Sequence, residues 1–173
     1  MQALEFAAGV RLMGFDVDGV MTDGSLYFTP NGDEIKAFSS LDGHGLRMLM
    51  DAGIEVVIIS GRASRALELR AANLGIPELH MGVSDKRARM QSLLEARGLV
   101  PAQAGYMGDD VVDLPLLRYC GFSATPLDGH DFVKQHVHFV GSRPAGRGAV
   151  REVCDLLLRA HNKLDDMLQH YLR

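Results

Sequence analysis

Residues 10–23, VRLMGFDVDGVMTD, constrain this chain more than any other stretch. A short, mostly apolar run enters two aspartates, Asp16 and Asp18, spaced two apart, and Gly19 and Gly24 then let the backbone turn. Residues i and i+2 of an extended strand point the same way, so both carboxylates face one site if that geometry persists through Val17. Carboxylates held close repel each other unless a proton or a cation intervenes. A strand end of this kind is also where α/β proteins place their ligands. Taken alone, the pair reads equally well as two turn residues closing a strand.

The remainder of the chain alternates strand and helix patterns. Strands are expected at 10–15, 54–59, 78–81, 103–107, 121–124 and 137–140, and helices at 42–52, 64–74, 85–97, 112–119, 128–135 and 150–170. Leu46, Leu49 and Met50 mark the inner side of the first of these helices, Ser64 is placed to cap the second, and Pro115 fits a helical first turn. The pattern predicts a three-layer α/β sandwich with five or six parallel strands and helices on both faces. One excursion interrupts it. Residues 25–28 and 34–39 flank TPNGD, a hairpin signal, and Leu26, Tyr27, Phe28, Ile35, Ala37 and Phe38 make that hairpin too apolar to be solvated on both sides. It either folds over the sheet or packs on another subunit, and the risk of edge pairing favours the subunit contact.

Composition narrows the function classes. The 173 residues suit one domain; 47% are hydrophobic and 23% charged, which excludes a disordered chain. A formal net charge of −4, no basic block and no tryptophan argue against nucleic acid as a partner. Cys120 and Cys154 form no disulfide framework. Met1 to Phe6 lack the basic and apolar regions of a signal peptide, and no run of 18 apolar residues occurs, so the expectation is a soluble, cytoplasmic protein.

Polar groups collect at the predicted strand ends: Asp16 with Asp18, Ser60 with Gly61 and Arg62, Lys86, and Asp109 with Asp110. In a parallel sheet these ends share one edge. Asp16, Asp109 and Asp110 would form an all-oxygen site for a hard cation such as Mg²⁺, while no His/Cys set for zinc is present. Lys86 and Ser60 suit a phosphoryl group, although Lys86 alone reads as a solvated first-turn residue and Ser60 as a turn cap. Asp113 either orients the loop or lies on a helix surface. His44 stands in a Gly-rich stretch near the site.

In order, Asp16-Val17-Asp18-Gly19-Val20-Met21-Thr22, Ser60 in IISGR, Lys86 in GVSDK and Gly108-Asp109-Asp110-Val111-Val112-Asp113 resemble the four motifs of the haloacid dehalogenase-type phosphatase superfamily. Residues 16–24, 36–38, 41–46, 58–62, 107–115 and 146–152 resemble its small capless branch, specifically the members that act on an eight-carbon sugar-acid phosphate. The resemblance implies a Rossmann-like sandwich without a cap domain over residues 1–173. It also implies Mg²⁺-dependent hydrolysis of 3-deoxy-D-manno-octulosonate 8-phosphate for lipopolysaccharide, and a homotetramer with hairpins joined and active sites shared. By this pattern Asp16 is the nucleophile and Asp18 the acid and base. Mg²⁺ sits on Asp16, the Asp18 carbonyl and Asp109; Ser60 and Lys86 hold the phosphoryl oxygens, and Asp110 and Asp113 give support.

For the sugar end the candidates are Asp23, Gly43, His44, Gly61, Arg62, Arg143 and Arg147, the arginines reading equally as surface charge or oligomer contacts. Many members have arginine where Leu41 stands, which keeps a nonulosonate 9-phosphate open as the substrate. A phosphoacceptor signalling domain fits less well, because its acidic pair would precede its acceptor aspartate. A phosphomutase would need a cap that this length leaves no room for.

Overall fold

The computed structural model describes residues 2–173. In chain order the elements are α1 (Gln2–Ala7), β1 (Leu12–Phe15), β2 (Tyr27–Phe28), β3 (Glu34–Ile35), α2 (Ser40–Asp51), β4 (Glu55–Ile59), α3 (Arg65–Leu74) and β5 (Glu78–His80). There follow α4 (Lys86–Arg97), β6 (Ala104–Met107), α5 (Leu114–Leu117), β7 (Phe122–Thr125), α6 (Asp131–Lys134), β8 (Phe139–Val140), α7 (Ala149–Ala160) and α8 (Leu164–Gln169). Among the described residues, six strands form one sheet in the order β5-β4-β1-β6-β7-β8, every neighbouring pair parallel. Strands β2 and β3 form a separate antiparallel pair, with Tyr27 opposite Ile35.

Side-chain alternation along the central strands sorts the core into two layers. Met13, Phe15, Val56 and Ile58 face α1, α2, α3 and α7, whereas Leu12, Val57 and Ile59 face α4 and α5. On the second face the Tyr106 ring lies on Gly14, where a Cβ would stand 2.8 Å from the ring, and its hydroxyl donates to the Ile59 carbonyl at 3.2 Å. Cys120 and Cys154 are free and buried.

Several elements differ from the sequence pattern. The helix expected over 150–170 breaks after Ala160: Asn162 adopts a left-handed φ of 56°, Lys163 donates to the Ala52 carbonyl, and Leu164 returns to the core. Met48 joins Leu46 and Leu49 on the buried face of α2, and Met50, partly buried, packs against the same core. Ser64 stands at the N-cap of α3 without a side-chain cap bond, while Asp85, expected inside α4, caps it by accepting from Ala88 N at 2.9 Å. The helix expected at 112–119 splits into a 3₁₀ turn at Val111–Asp113 and α5, with Pro115 in the first turn. Helix α1 was not expected. On the hairpin, Phe38 packs on the core, while Leu26, Tyr27, Phe28 and Ile35 are exposed.

Asp42 links the two helices that pack most closely on the first face. Its buried carboxylate accepts from Arg151 N at 2.9 Å and Gly148 N at 3.4 Å, so a side chain of α2 caps α7. Replacing it by alanine leaves those N–H groups unpaired in a buried place. Asp42→Ala is expected to lower unfolding stability by about 1–3 kcal/mol. Asp42→Asn, which keeps one acceptor, is expected to lose less. Urea midpoints of the three proteins check this ordering.

Candidate active site

The C-terminal ends of β1, β4 and β6 meet at one edge of the sheet. Strand β1 stops at Phe15, so Val17 is not extended as the spacing argument assumed, and residues 17–21 turn tightly, with the Met21 and Thr22 N–H groups both donating to Val17 O. Thr22 is buried and its hydroxyl binds the loop at three points: Val17 O, Gly19 N and Gly24 N. Gly19 has φ 83°, and a Cβ on it would collide with the Asp109 carboxylate. The glycine thus allows both the turn and the approach of the last acidic group to the first.

Asp16, Asp18, Ser60, Gly61, Arg62, Lys86, Asp109 and Asp110, all singled out in the sequence, line one cleft of about 450 Å³. Asp16 is buried; Oδ1 accepts from Val17 N at 2.8 Å and Oδ2 lies 2.9 Å from Lys86 Nζ. Lys86 opens α4 and also donates to Asp113 Oδ1 at 2.7 Å. Asp113 is wholly buried, and its other oxygen accepts from Asp109 N at 3.1 Å and Asp110 N at 3.3 Å. Of the two roles open to it, the structure therefore shows loop orientation, not helix surface. Asp110 is exposed and accepts from Val111 N. Ser60 is buried, its hydroxyl accepting from Arg62 N at 3.2 Å.

Carboxylate oxygens of Asp16, Asp109 and Asp113 all lie within 4.8 Å of one another. Burial, then the neighbouring Asp113, raises the Asp16 carboxyl to about 6, despite Lys86. Burial and repulsion from Asp16 and Asp113 raise Asp109 to about 7. Lys86 resists the opposite pull of burial because Asp16 and Asp113 hold it charged, above the ordinary lysine value. Asp16 and Asp109 line the cleft whereas Asp113 lies wholly buried behind it, which leaves Asp16 and Asp109 as the groups able to hold a divalent cation there. An all-oxygen, carboxylate-crowded donor set fits a hard ion.

The structure does not bring the other sugar-end candidates to this cleft. Asp23 is exposed and accepts from Ser25 N. Gly43 and His44 lie within α2, inside the helix expected over 42–52, where Gly43 lets Arg70 approach and His44 meets the Tyr171 hydroxyl at 3.1 Å. Arg143 and Arg147 line a separate cavity of about 510 Å³ with Leu41. Of two residues that the sequence reading missed, Lys36 reaches Asp18 directly, its Nζ bonding Asp18 Oδ1, and Glu34 reaches it only through Lys36 and Arg62, both of which it binds. Lys36 belonged to a matching segment, but nothing in its spacing marked it as a site residue.

The parallel sheet order and its acidic edge, with no second domain over the cleft among the described residues, fit a haloacid dehalogenase-type phosphatase of the capless kind. No family model matches the chain. A 3-deoxy-D-manno-octulosonate 8-phosphate phosphatase of Yersinia pestis is 44% identical over 162 residues, covering 94% of this chain and 87% of that protein. The protein of that name from Escherichia coli K12 is 44% identical over 160 residues, covering 92% and 85%. Among solved structures, the Moraxella catarrhalis 3-deoxy-D-manno-octulosonate 8-phosphate phosphatase, in complex with a magnesium ion, a phosphate ion and a KDO molecule, superposes with a TM-score of 0.95 at 34% identity, covering 98% of this chain and 97% of that one. A cobalt-bound Haemophilus influenzae phosphatase superposes with a TM-score of 0.91 at 40% identity, covering 97% and 99%. The chain belongs to the family of 3-deoxy-D-manno-octulosonate 8-phosphate phosphatases.

The raised carboxyls fix a pH dependence. Asp16 and Asp109 hold protons in the folded state that unfolded aspartates, with an ordinary value of 3.8, release earlier. Without divalent metal, their contribution to stability is present below about pH 4 and is lost as pH rises through about 6 and about 7. Urea titrations in a chelator should show that fall, and Asp109→Asn should flatten its upper part.

Proposed function

We propose that the chain releases phosphate from 3-deoxy-D-manno-octulosonate 8-phosphate in the cytoplasm, as a Mg²⁺-dependent step in making the lipopolysaccharide precursor. The observation that carries the reading is the Asp16 carboxylate. It lines the cleft, each oxygen has a single partner, and lone pairs remain for phosphorus and for a cation.

Asp16 attacks phosphorus in line, forming an aspartyl-phosphate while the bond from phosphorus to the sugar oxygen breaks. Asp18 gives its proton to that leaving oxygen. It then takes one from the water that hydrolyses the aspartyl-phosphate, so one carboxyl serves as acid and as base. The Lys86 ammonium and the Ser60 hydroxyl stabilise the equatorial phosphoryl oxygens, and Asp113 keeps Lys86 aimed at them. Asp16, Asp109 and the Asp18 backbone carbonyl would hold Mg²⁺, which would supply positive charge against the phosphate and the attacking carboxylate. Asp110 supports the loop that carries Asp109.

Arg62, exposed at the cleft wall, is placed to take the sugar carboxylate. Arg143, Arg147, Asp23, Gly43 and His44 lie away from their own cleft, so any sugar contact they make is with a neighbouring subunit's substrate. The assembly is a homotetramer with its hairpins packed together, a reading supported by the exposure of Leu26, Tyr27, Phe28 and Ile35. Leu41 is exposed beside Arg143 and Arg147, and it keeps a nonulosonate 9-phosphate open as the second reading.

Phosphate release with Mg²⁺ across eight-carbon, nine-carbon and hexose phosphates tests the substrate. The expected result is a strong preference for the eight-carbon acid; a preference for the nine-carbon acid moves the assignment to the second reading. Asp16→Asn is expected to lower turnover by roughly 10³-fold or more while leaving the fold intact. Substantial residual turnover would remove Asp16 as the nucleophile.

A further inference from the structure

Asp18 is held from behind by a residue that the substrate cannot reach. Lys36 follows β3 on the hairpin, and its side chain is 2% exposed and absent from the cleft lining. Its ammonium bonds Asp18 Oδ1 on one side and Glu34 Oε1, at 2.7 Å, on the other. Arg62 closes the ring, with Nε 3.7 Å from Asp18 Oδ2 and a terminal nitrogen 3.4 Å from Glu34 Oε2. Two cations and two carboxylates thus alternate between the hairpin, the β1 loop and the β4 loop.

We propose that Lys36 is the positioning residue for the Asp18 acid, anchoring Oδ1 so that Oδ2, on the Arg62 side, is the oxygen that exchanges the proton. This rests on the reading of Asp18 as the general acid. An ammonium has only donors, so an oxygen that accepts from it is a poor place for the carboxyl proton. The Arg62 guanidinium has only donors too, but at 3.7 Å its Nε stands outside hydrogen-bond distance of Oδ2, so the two oxygens of Asp18 are inequivalent before substrate arrives. As the bond between phosphorus and the sugar oxygen breaks and the Asp16–phosphorus bond forms, the Oδ2 proton passes to the sugar oxygen and Asp18 is left as a carboxylate. Lys36 stays bonded to Oδ1 throughout and stabilises that carboxylate. Without Lys36 the carboxyl is free to rotate about its terminal torsion, which is broad for aspartate. The same bond makes the placement of the acid depend on the placement of the hairpin.

A role through Asp18 has a chemical signature. An alkyl leaving oxygen needs a proton in the transition state, whereas p-nitrophenolate leaves without one. The kcat/KM value reports the steps through phosphoryl transfer to Asp16, so it isolates the acid role from the later base role. Lys36→Met is expected to lower kcat/KM by about 100-fold for an alkyl sugar phosphate and by less than about 5-fold for p-nitrophenyl phosphate. Lys36→Arg is expected to restore much of the loss. In an Asp18→Asn background, Lys36→Met should cost nothing further, as residues acting in series do.

Equal losses on both substrates, or full additivity with Asp18→Asn, would overturn the proposal and leave Lys36 as a hairpin anchor. If Asp18→Asn shows the leaving-group dependence and neither Lys36 variant does, the proposal fails while the reading of Asp18 stands. If Asp18→Asn itself shows no such dependence, the acid assignment fails first and this proposal with it. Lys36→Arg, which keeps the charge, guards against a variant whose hairpin simply does not form.

Discussion

Everything at the sheet edge depends on one ammonium between two buried carboxylates. Lys86 binds Asp16 at 2.9 Å and Asp113 at 2.7 Å, and these belong to the end of β1 and to the turn after β6. Its charge holds α4, β1 and that turn in one relation. Three carboxylates, those of Asp16, Asp109 and Asp113, crowd against this one cation. Formally ionised, the group retains two negative charges. Burial makes that surplus costly, which is why Asp16 and Asp109 are pushed up to about 6 and about 7. A divalent cation is the smallest addition that neutralises it, and a phosphate can approach such a cleft only after it has been neutralised.

The supports for this arrangement are backbone turns and not further charges. Thr22 knots residues 17–24 with one hydroxyl, and Gly19 clears the space that Asp109 occupies. Asp113 spends its second oxygen on the N–H groups of Asp109 and Asp110, fixing where the Asp109 side chain begins. These contacts lie at the ends of the two central pairings of the sheet, β1 with β4 and β1 with β6, where the backbone is most completely paired.

This explains which parts were legible in the sequence. Polar residues at the ends of apolar runs can be read because the parallel sheet brings all such ends to one edge, and Asp16, Ser60, Lys86 and Asp109 met there as the pattern required. Local signals failed where tertiary contact decided. The two glycines of Asp42-Gly43-His44-Gly45 fall inside the expected helix, but their reason for being there is not local: close packing removes their side chains, and a Cβ on Gly45 would lie 2.9 Å from Arg151 Cδ. The break after α7 follows from one asparagine and from a lysine that finds a carbonyl of α2, neither of which disturbs the apolar periodicity. Lys36 was unreadable as a site residue because its partner, Asp18, is 18 residues away across a turn whose path no periodicity describes.

The two sides of the cleft therefore have different mechanical foundations. The phosphate side stands on a six-stranded sheet covered on both faces. The leaving-group side stands on a pair of two-residue strands, and a two-stranded sheet has little stability of its own in water. Leu26, Tyr27, Phe28 and Ile35 are exposed on that hairpin, so its apolar surface is the least satisfied of this chain's elements. The charge ring of Asp18, Lys36, Glu34 and Arg62, together with Phe38 packed on the core, ties the weak element to the strong one. Nucleophile, phosphate contacts and cation ligands can be complete in a single chain. The geometry of the group that releases the sugar is complete only to the extent that the hairpin is held.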